Sequence, residues 1–299
     1  GHDAHAACLL GVAMLISKIK NDLKGNVKLV FQPSEERADI SGGKAMVKES
    51  VLKNPKVNAI IALHVTNDLK SGKIGLKYGP MLANADRLEI KISGVGGHGA
   101  EPQVTVDPVV VASSVIQNLQ TIISRNIHPH EPAVVSITMI NGGTAFNIIP
   151  PEVKLGGTVR TVNKETKNKV KKLIKRVVSG VTRSLGAEYE IKYTDGYPAF
   201  KNNDAINRVI EKTALKIIGR KNVQIKKHEP ASLGGEDFAY FVNKVPGSMF
   251  WLGTKRSGVH YPGHHPKYDI NENALPIGVA ILTQTCINYL TPPTKNVGV

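Results

Sequence analysis

The chain has 299 residues, 41% of them hydrophobic and 21% charged, enough apolar material for one large core or a core with a smaller companion, with no place for extensive disorder. Its longest apolar run, residues 6–16, is too short to cross a bilayer, so no membrane partner is expected. The formal charge of +15 raises nucleic acid as a partner. In its densest stretch, residues 163–178, however, Val170, Leu173, Ile174, Val177 and Val178 recur at helical spacing, which puts the lysines on a solvated face. No zinc finger, RNA-recognition motif or aromatic–basic interleaving accompanies that charge, so no nucleic-acid partner is expected. Two cysteines, Cys8 and Cys286, exclude a disulfide framework or a cysteine-rich zinc site and suit a reducing cytoplasm.

Residues 3–22 read as a helix, 26–32 as a buried strand, 42–53 as a short helix and 57–65 as a second apolar strand. That alternation predicts a parallel α/β sheet. At about residue 84 the pattern changes. A strand alternates over 86–93, a long helix starts from Asp107 with Pro108 at its first position, strands follow at 133–140 and 153–160, and the lysine-rich helix and a strand at 188–193 complete the set. This is the βαββαβ order of a ferredoxin-like split unit, a self-contained insertion. From 203 the α/β rhythm resumes, with helices at 203–218 and near 236–244, a strand at 249–254 and a last helix at 272–290. The outer segments therefore form one discontinuous domain, and residues 290–299 read as a loose tail.

Several polar residues fall where such a sheet delivers ligands. Glu35 and Glu36 follow the first strand, His64 ends the second, His264 lies in the loop after 249–254, and His2 starts the first helix. Open α/β sheets bind beyond the carboxyl ends of their strands. Histidine and carboxylate donors there suit zinc, manganese or cobalt, and adjacent carboxylates let one bind metal while the other moves protons. Singly, such a histidine is more often a hydrogen-bonded structural residue and paired glutamates are usually surface charge, but five such positions at successive loop mouths point to a site. Asp3 is either a partner that orients an imidazole or a helix cap, and His5 reads as structural. His98 sits among Gly94, Gly96, Gly97 and Gly99, whose freedom permits close backbone approach to a ligand. Arg160 and Asn147 offer a guanidinium fork and an amide suited to a carboxylate, or a structural hydrogen bond each. Gly234 and Gly235 precede Glu236 and Asp237 in what reads as a helix start, with the acids at the positive end of its dipole.

The segments GHDAH, FQPSEE, ALHV, GVGGHGAEP, NIIP, GTVR, GGEDF and HHPKY occur in this order, and together they resemble the M20 metallopeptidases in their amidohydrolase and carboxypeptidase branch. The resemblance runs from residue 1 to about 290. It implies a three-layer αβα catalytic domain over 1–83 and 195–299, interrupted by a ferredoxin-like satellite over 84–194 that often dimerises. It further implies two divalent ions, zinc first and manganese or cobalt as alternatives, held by His2, Glu36, His64 and His264. Glu35 is then the general base, His98 a residue that holds substrate and stabilises the tetrahedral intermediate, and Asn147, Arg160 and Gly235 substrate contacts. The implied reaction is hydrolysis of the amide bond of an N-acyl amino acid or a short peptide with a free C-terminus. In this branch a cysteine commonly precedes GHD, and an upstream segment contributes the first strands. The expectation is therefore a chain lacking its N-terminal segment and a bridging thiolate, less stable than a full member and inactive alone. The competing expectation is a catalytically inactive binding or assembly protein that keeps the fold.

Overall fold

The computed structural model describes residues 1–37, 40–258 and 261–291, so from residue 292 onward the expected loose tail lies outside the described residues. Two compact units share the chain. The first comprises the described residues of Gly1–Met81, Lys201–Glu229 and Asp237–Val299, and the second Leu82–Phe200 with Pro230–Glu236.

In chain order the first unit begins with α1 (His2–Lys18), where Ala4, Cys8, Val12 and Ile16 recur every fourth residue and form one buried stripe. Next come α2 (Gly42–Lys48), capped by Ser41 Oγ accepting from the Lys44 amide at 3.1 Å, and the strands β1 (Ile60–Lys70), β2 (Ile74–Lys77) and β3 (Gly79–Leu82). The second unit contains β4 (Ala85–Ser93), β5 (Gly97–His98), α3 (Pro108–Asn126), β6 (Ala133–Asn141), β7 (Ile148–Ile149), β8 (Glu152–Thr161), α4 (Lys164–Ser184) and β9 (Glu188–Tyr197). After these come β10 (Phe200–Asn202), α5 (Asp204–Ile218), β11 (Val223–Lys226), α6 (Ala239–Val242), β12 (Gly247–Lys255) and α7 (Leu275–Leu290).

The main sheet of the first unit has the order β1-β12-β2-β11 and is mixed rather than parallel: β1 runs parallel to β12 and β2 to β11, but β12 opposes β2. Only residues 71–73 separate β1 from β2, with Gly72 at φ +80°. So short a link reverses the chain, whereas a parallel crossover needs a dozen residues or more. β12 fills the gap between them and is buried along nearly its whole length. Phe250 and Leu252 join the core formed with α1, α5 and α7, while Met249, equally buried, faces away from that cluster. On the same account α6, whose Ala239 and Phe241 are buried outside the cluster, packs on α2 and β12 as a further layer. This is the three-layer αβα class.

Residues 26–32 form no strand. Val27 and Leu29 pack partly against the core, and Lys28 Nζ donates to the Val51 and Asn54 carbonyls at 2.7 Å each. An apolar run becomes a strand only where a neighbour completes its ladder, and among the described residues none does so here.

The second unit folds β4, α3, β6, β8, α4 and β9 into an antiparallel sheet of order β6-β8-β4-β9, the split βαβ arrangement. Helix α3 starts where Asp107 Oδ1 accepts from the Val109 amide at 2.8 Å ahead of Pro108, and α4 where Asn163 Oδ1 accepts from the Thr166 amide at 2.8 Å. Val115, Leu119 and Ile122 of α3 and Val170, Ile174 and Val178 of α4 bury against one sheet face. Not all of the α4 lysines are solvated. Lys167 Nζ lies 3.0 Å from Asp86 and 2.9 Å from Asp195.

Candidate metal centre

The first unit brings together all five residues that the motifs single out within it. His2, at the first turn of α1, sits between the two glutamates: its Nδ1 is 3.9 Å from Glu35 Oε2 and its Nε2 is 3.7 Å from Glu36 Oε1. His264 Nε2 approaches the same Glu36 oxygen at 3.7 Å from the loop beyond β12. The His2 and His64 rings meet edge to face with centroids 5.5 Å apart. His64 does not end its strand, since β1 continues to Lys70, but the regular ladder with β12 breaks after Thr66. His64 is thus near the end of the paired stretch, with its ring against Trp251 at 5.1 Å.

Backbone partners fix the tautomers of His64 and His5. His64 Nδ1 lies 2.8 Å from the Val65 carbonyl, which only an N–H can satisfy, so the lone pair is on Nε2, the form in which an imidazole binds metal. His5 differs. Its Nε2 accepts from the Val65 amide at 3.0 Å, which commits it to the backbone although its ring stands 4.5 Å from that of His64. Burial first, then the neighbouring His64 and His2, pushes His5 down to about 2 and keeps it neutral. Burial likewise lowers His64 to about 4. Neutral imidazole is the ligating form.

Asp3 does not cap α1, which starts at His2 with no side-chain cap hydrogen bond, and its side chain is 90% exposed. His265 Nδ1 accepts from the Lys267 amide at 3.0 Å and its ring stacks on Tyr261 at 4.3 Å, which leaves His264 as the histidine of that pair beside Glu36.

Donor chemistry fits a divalent transition ion. Three imidazoles of intermediate hardness and a hard carboxylate converge, and the ligand atoms of His2, Glu35 and Glu36 all lie within 4.8 Å of one another. Cys8 is no competitor, being fully buried with its Sγ directed at the Leu275 carbonyl. Uncommon backbone conformations flank the glutamates and recur at His264. Ser34 has φ +55°, Ser41 φ +47° and His264 itself φ +67°, a clustering of sparsely populated geometry typical of functional sites.

Sequence reasoning missed Asp237. No helix starts at Glu236; the helical residues are only Ala239–Val242. Asp237 is fully buried and accepts from Gln32 Nε2 at 2.5 Å, Ser41 Oγ at 2.9 Å and the Gly43 amide at 3.0 Å. Burial pushes its carboxyl up, and these hydrogen bonds pull it back. The motif GGEDF was visible; the three donors come from residues about 200 positions away, and no local signal announces them.

In the second unit two further groupings form. His98 and Asn147 meet through the β5–β7 ladder, where His98 pairs with Ile148 and the Gly99 amide donates to the Asn147 carbonyl at 2.8 Å. The loop glycines serve the fold first: a Cβ on Gly94 would stand 2.0 Å from the Val106 carbonyl oxygen. His98 Nδ1 accepts from the Ala100 amide at 3.1 Å, so its Nε2 carries the proton on an exposed ring. Arg160 and Gly235 also lie together, a Cβ on Gly235 falling 3.4 Å from the guanidinium. Behind Arg160, Asn84 Oδ1 accepts from the Thr161 amide at 2.6 Å.

The model of peptidase family M20/M25/M40 matches residues 1–288. The chain belongs to this family of hydrolases. It is 38% identical over 290 residues to an N-acetylcysteine deacetylase of Bacillus subtilis, covering 97% of this chain and 73% of that protein. To a thermostable carboxypeptidase of Saccharolobus solfataricus it is 35% identical over 281 residues, with 93% and 70% covered. Among solved structures, a dinuclear metal-binding M20 peptidase from Bacillus subtilis superposes with a TM-score of 0.80 at 34% identity, covering 97% of this chain and 72% of that one. This M20 member thus spans somewhat under three quarters of each of these relatives. No helix among its described residues is long and apolar enough to cross a membrane.

Proposed function

We propose that this chain hydrolyses the amide bond of an N-acyl amino acid or of a short peptide with a free C-terminus. The observation that carries the reading is the convergence of His2, Glu36, His64 and His264 beside Glu35 within one unit. His2, Glu36, His64 and His264 would hold two divalent ions, zinc first and manganese or cobalt as alternatives. When bound, such ions acidify a water and polarise the scissile carbonyl. Glu35, with a side chain only 20% exposed, takes the proton of the attacking water and returns it to the departing nitrogen, so no covalent intermediate is needed. His98, with Nε2–H outward, donates to the oxygen that gains charge. The Arg160 fork and the Asn147 amide bind the free carboxylate, and Gly235 leaves room beside the guanidinium.

The names of the relatives favour this substrate class, one acting on an N-acetyl amino acid and another on peptides from the carboxyl end. A homodimer through the second unit suits the open edge strand β6, where Met139 and Ile140 are exposed, and two free cysteines suit the cytoplasm.

The test separates the two glutamates. Glu35→Gln should keep bound metal while kcat on an N-acetyl amino acid falls about 10²–10⁴-fold, whereas Glu36→Ala should lose both metal and turnover. Near-normal kcat in Glu35→Gln would remove it as the base. Folded protein that still binds an N-acyl amino acid but neither holds metal nor turns it over favours the binding or assembly protein.

A further inference from the structure

We infer that Asp237 is a positioning residue that closes the neck between Gln32–Pro33 and Ser41–Gly43 and thereby sets where Glu35 and Glu36 stand; this rests on the reading of those two as base and metal ligand. The neck has two sides. One is Gln32–Pro33 and the other Ser41–Gly43, and the Asp237 carboxylate bridges them: Oδ1 takes the Gln32 amide hydrogen, while Oδ2 takes the Ser41 hydroxyl and the Gly43 backbone amide. The two sides touch directly as well. A Cβ on Gly42 would lie 1.8 Å from the Pro33 carbonyl oxygen, and one on Gly43 would lie 2.8 Å from the Asp237 carbonyl oxygen. Glycine at both places is therefore a condition of closure.

The chemistry calls for a carboxylate. Three donors face one side chain with no exposure to water, and only an acceptor on both oxygens satisfies them all. The strained φ of Ser34, just inside the neck, and of Ser41, on it, persists only while the surroundings over-determine it. Ser41 adds a second duty, since its Oγ also accepts from the Lys44 amide to start α2. Once the neck opens, those residues relax, and the two glutamates between them lose their register with His2 and His264. His2 and His64 belong to α1 and β1, so the glutamates move relative to fixed imidazoles.

The prediction has a chemically specific rescue. In Asp237→Asn the amide oxygen can serve Ser41 and Gly43, while Nδ2 faces Gln32 either donor to donor or with the Gln32 amide turned over, and in both cases the charge that draws the three donors together is gone. Combining it with Gln32→Glu restores a donor–acceptor pair with the charge moved across the contact. The measurement is zinc affinity of the full chain by chelator competition, with kcat beside it. Asp237→Asn should weaken zinc about 10–100-fold, and Gln32→Glu/Asp237→Asn should recover most of that loss. A residue that mattered only for general stability would lower the melting temperature and leave the zinc affinity of the folded protein unchanged.

Zinc affinity within twofold of wild type in Asp237→Asn, or a double variant no better than the single one, overturns the assignment. If Asp237→Asn does not fold, Ser41→Ala and Gln32→Met each remove one arm of the clamp and should each weaken zinc several-fold; no change in either overturns it equally. Glu36→Ala is the parallel control. Wild-type zinc affinity in that variant refutes the ligand reading beneath the proposal, whereas loss of zinc there with an indifferent Asp237→Asn refutes the positioning role alone.

Discussion

Replacement of Asp86 by alanine should destabilise the second unit by about 3–4 kcal/mol. Asp86, on β4, is 1% exposed and accepts from Asn84 Nδ2 at 2.5 Å, the Tyr193 hydroxyl at 2.7 Å, the Gly196 amide at 2.9 Å and Lys167 Nζ at 3.0 Å. Burial, followed by the bond to Asp86, pushes the Tyr193 phenol well above its ordinary value, so this hydroxyl stays a donor throughout the usable pH range. Truncation strands the Tyr193 hydroxyl and leaves Asn84 Nδ2 only a 3.5 Å contact with the Val159 carbonyl, at about 1–2 kcal/mol each. Lys167 keeps Asp195 at 2.9 Å, which holds its share below the about 3–5 kcal/mol of a buried charge left wholly alone. Asp86→Asn, which keeps one acceptor and offers an amide where donors point, should fall between wild type and alanine. Equilibrium urea unfolding followed by far-ultraviolet circular dichroism measures both. A loss below about 1 kcal/mol in Asp86→Ala would refute the reasoning, because donors that find water so easily were not buried at a cost.

Arg160→Lys should lower kcat/KM for a free-carboxylate substrate while leaving the amidated analogue nearly unaffected, since one ammonium cannot reproduce a two-pronged fork; equal preference for the two substrates in wild type would sink the carboxylate assignment. Asp195 supplies a pH test. Hydrogen bonding by Lys167, ahead of an opposing burial effect, holds its carboxyl below the ordinary 3.8. A folded value below the unfolded one stabilises the protein above pH 3.8, and that contribution fades as pH falls through the folded value. The melting-temperature gap between wild type and Asp195→Asn should therefore be full at pH 6 and narrow steadily below 3.8; a gap independent of pH would contradict the pairing.

The elements that satisfy themselves were legible in the sequence. Helices α3 and α4 carry their own caps, Asp107 and Asn163, and a single apolar stripe each, so periodicity and capping alone locate them. The βαββαβ order of the second unit follows, since short antiparallel connections leave few topologies. The candidate ligands were legible for a different reason: histidines and paired acids beside strand segments are unusual residue types in that setting, and eight ordered motifs tied them to one family. What depends on a partner distant in sequence was not legible. Residues 26–32 have the composition of a strand and form none, because a ladder needs a neighbour that composition does not reveal. The sheet is mixed because β12, more than 170 residues after β2, pairs between β1 and β2. His5 and His64 are the same residue type 59 positions apart, and only the Val65 backbone separates them: its amide occupies Nε2 of His5, and its carbonyl fixes the tautomer of His64. Asp237 likewise reads as an acid at a helix start until the fold surrounds it with Gln32, Ser41 and Gly43. Hydrogen-bond donors and acceptors act over about 3 Å in space, and the chain carries no record of which of them tertiary packing will bring that close.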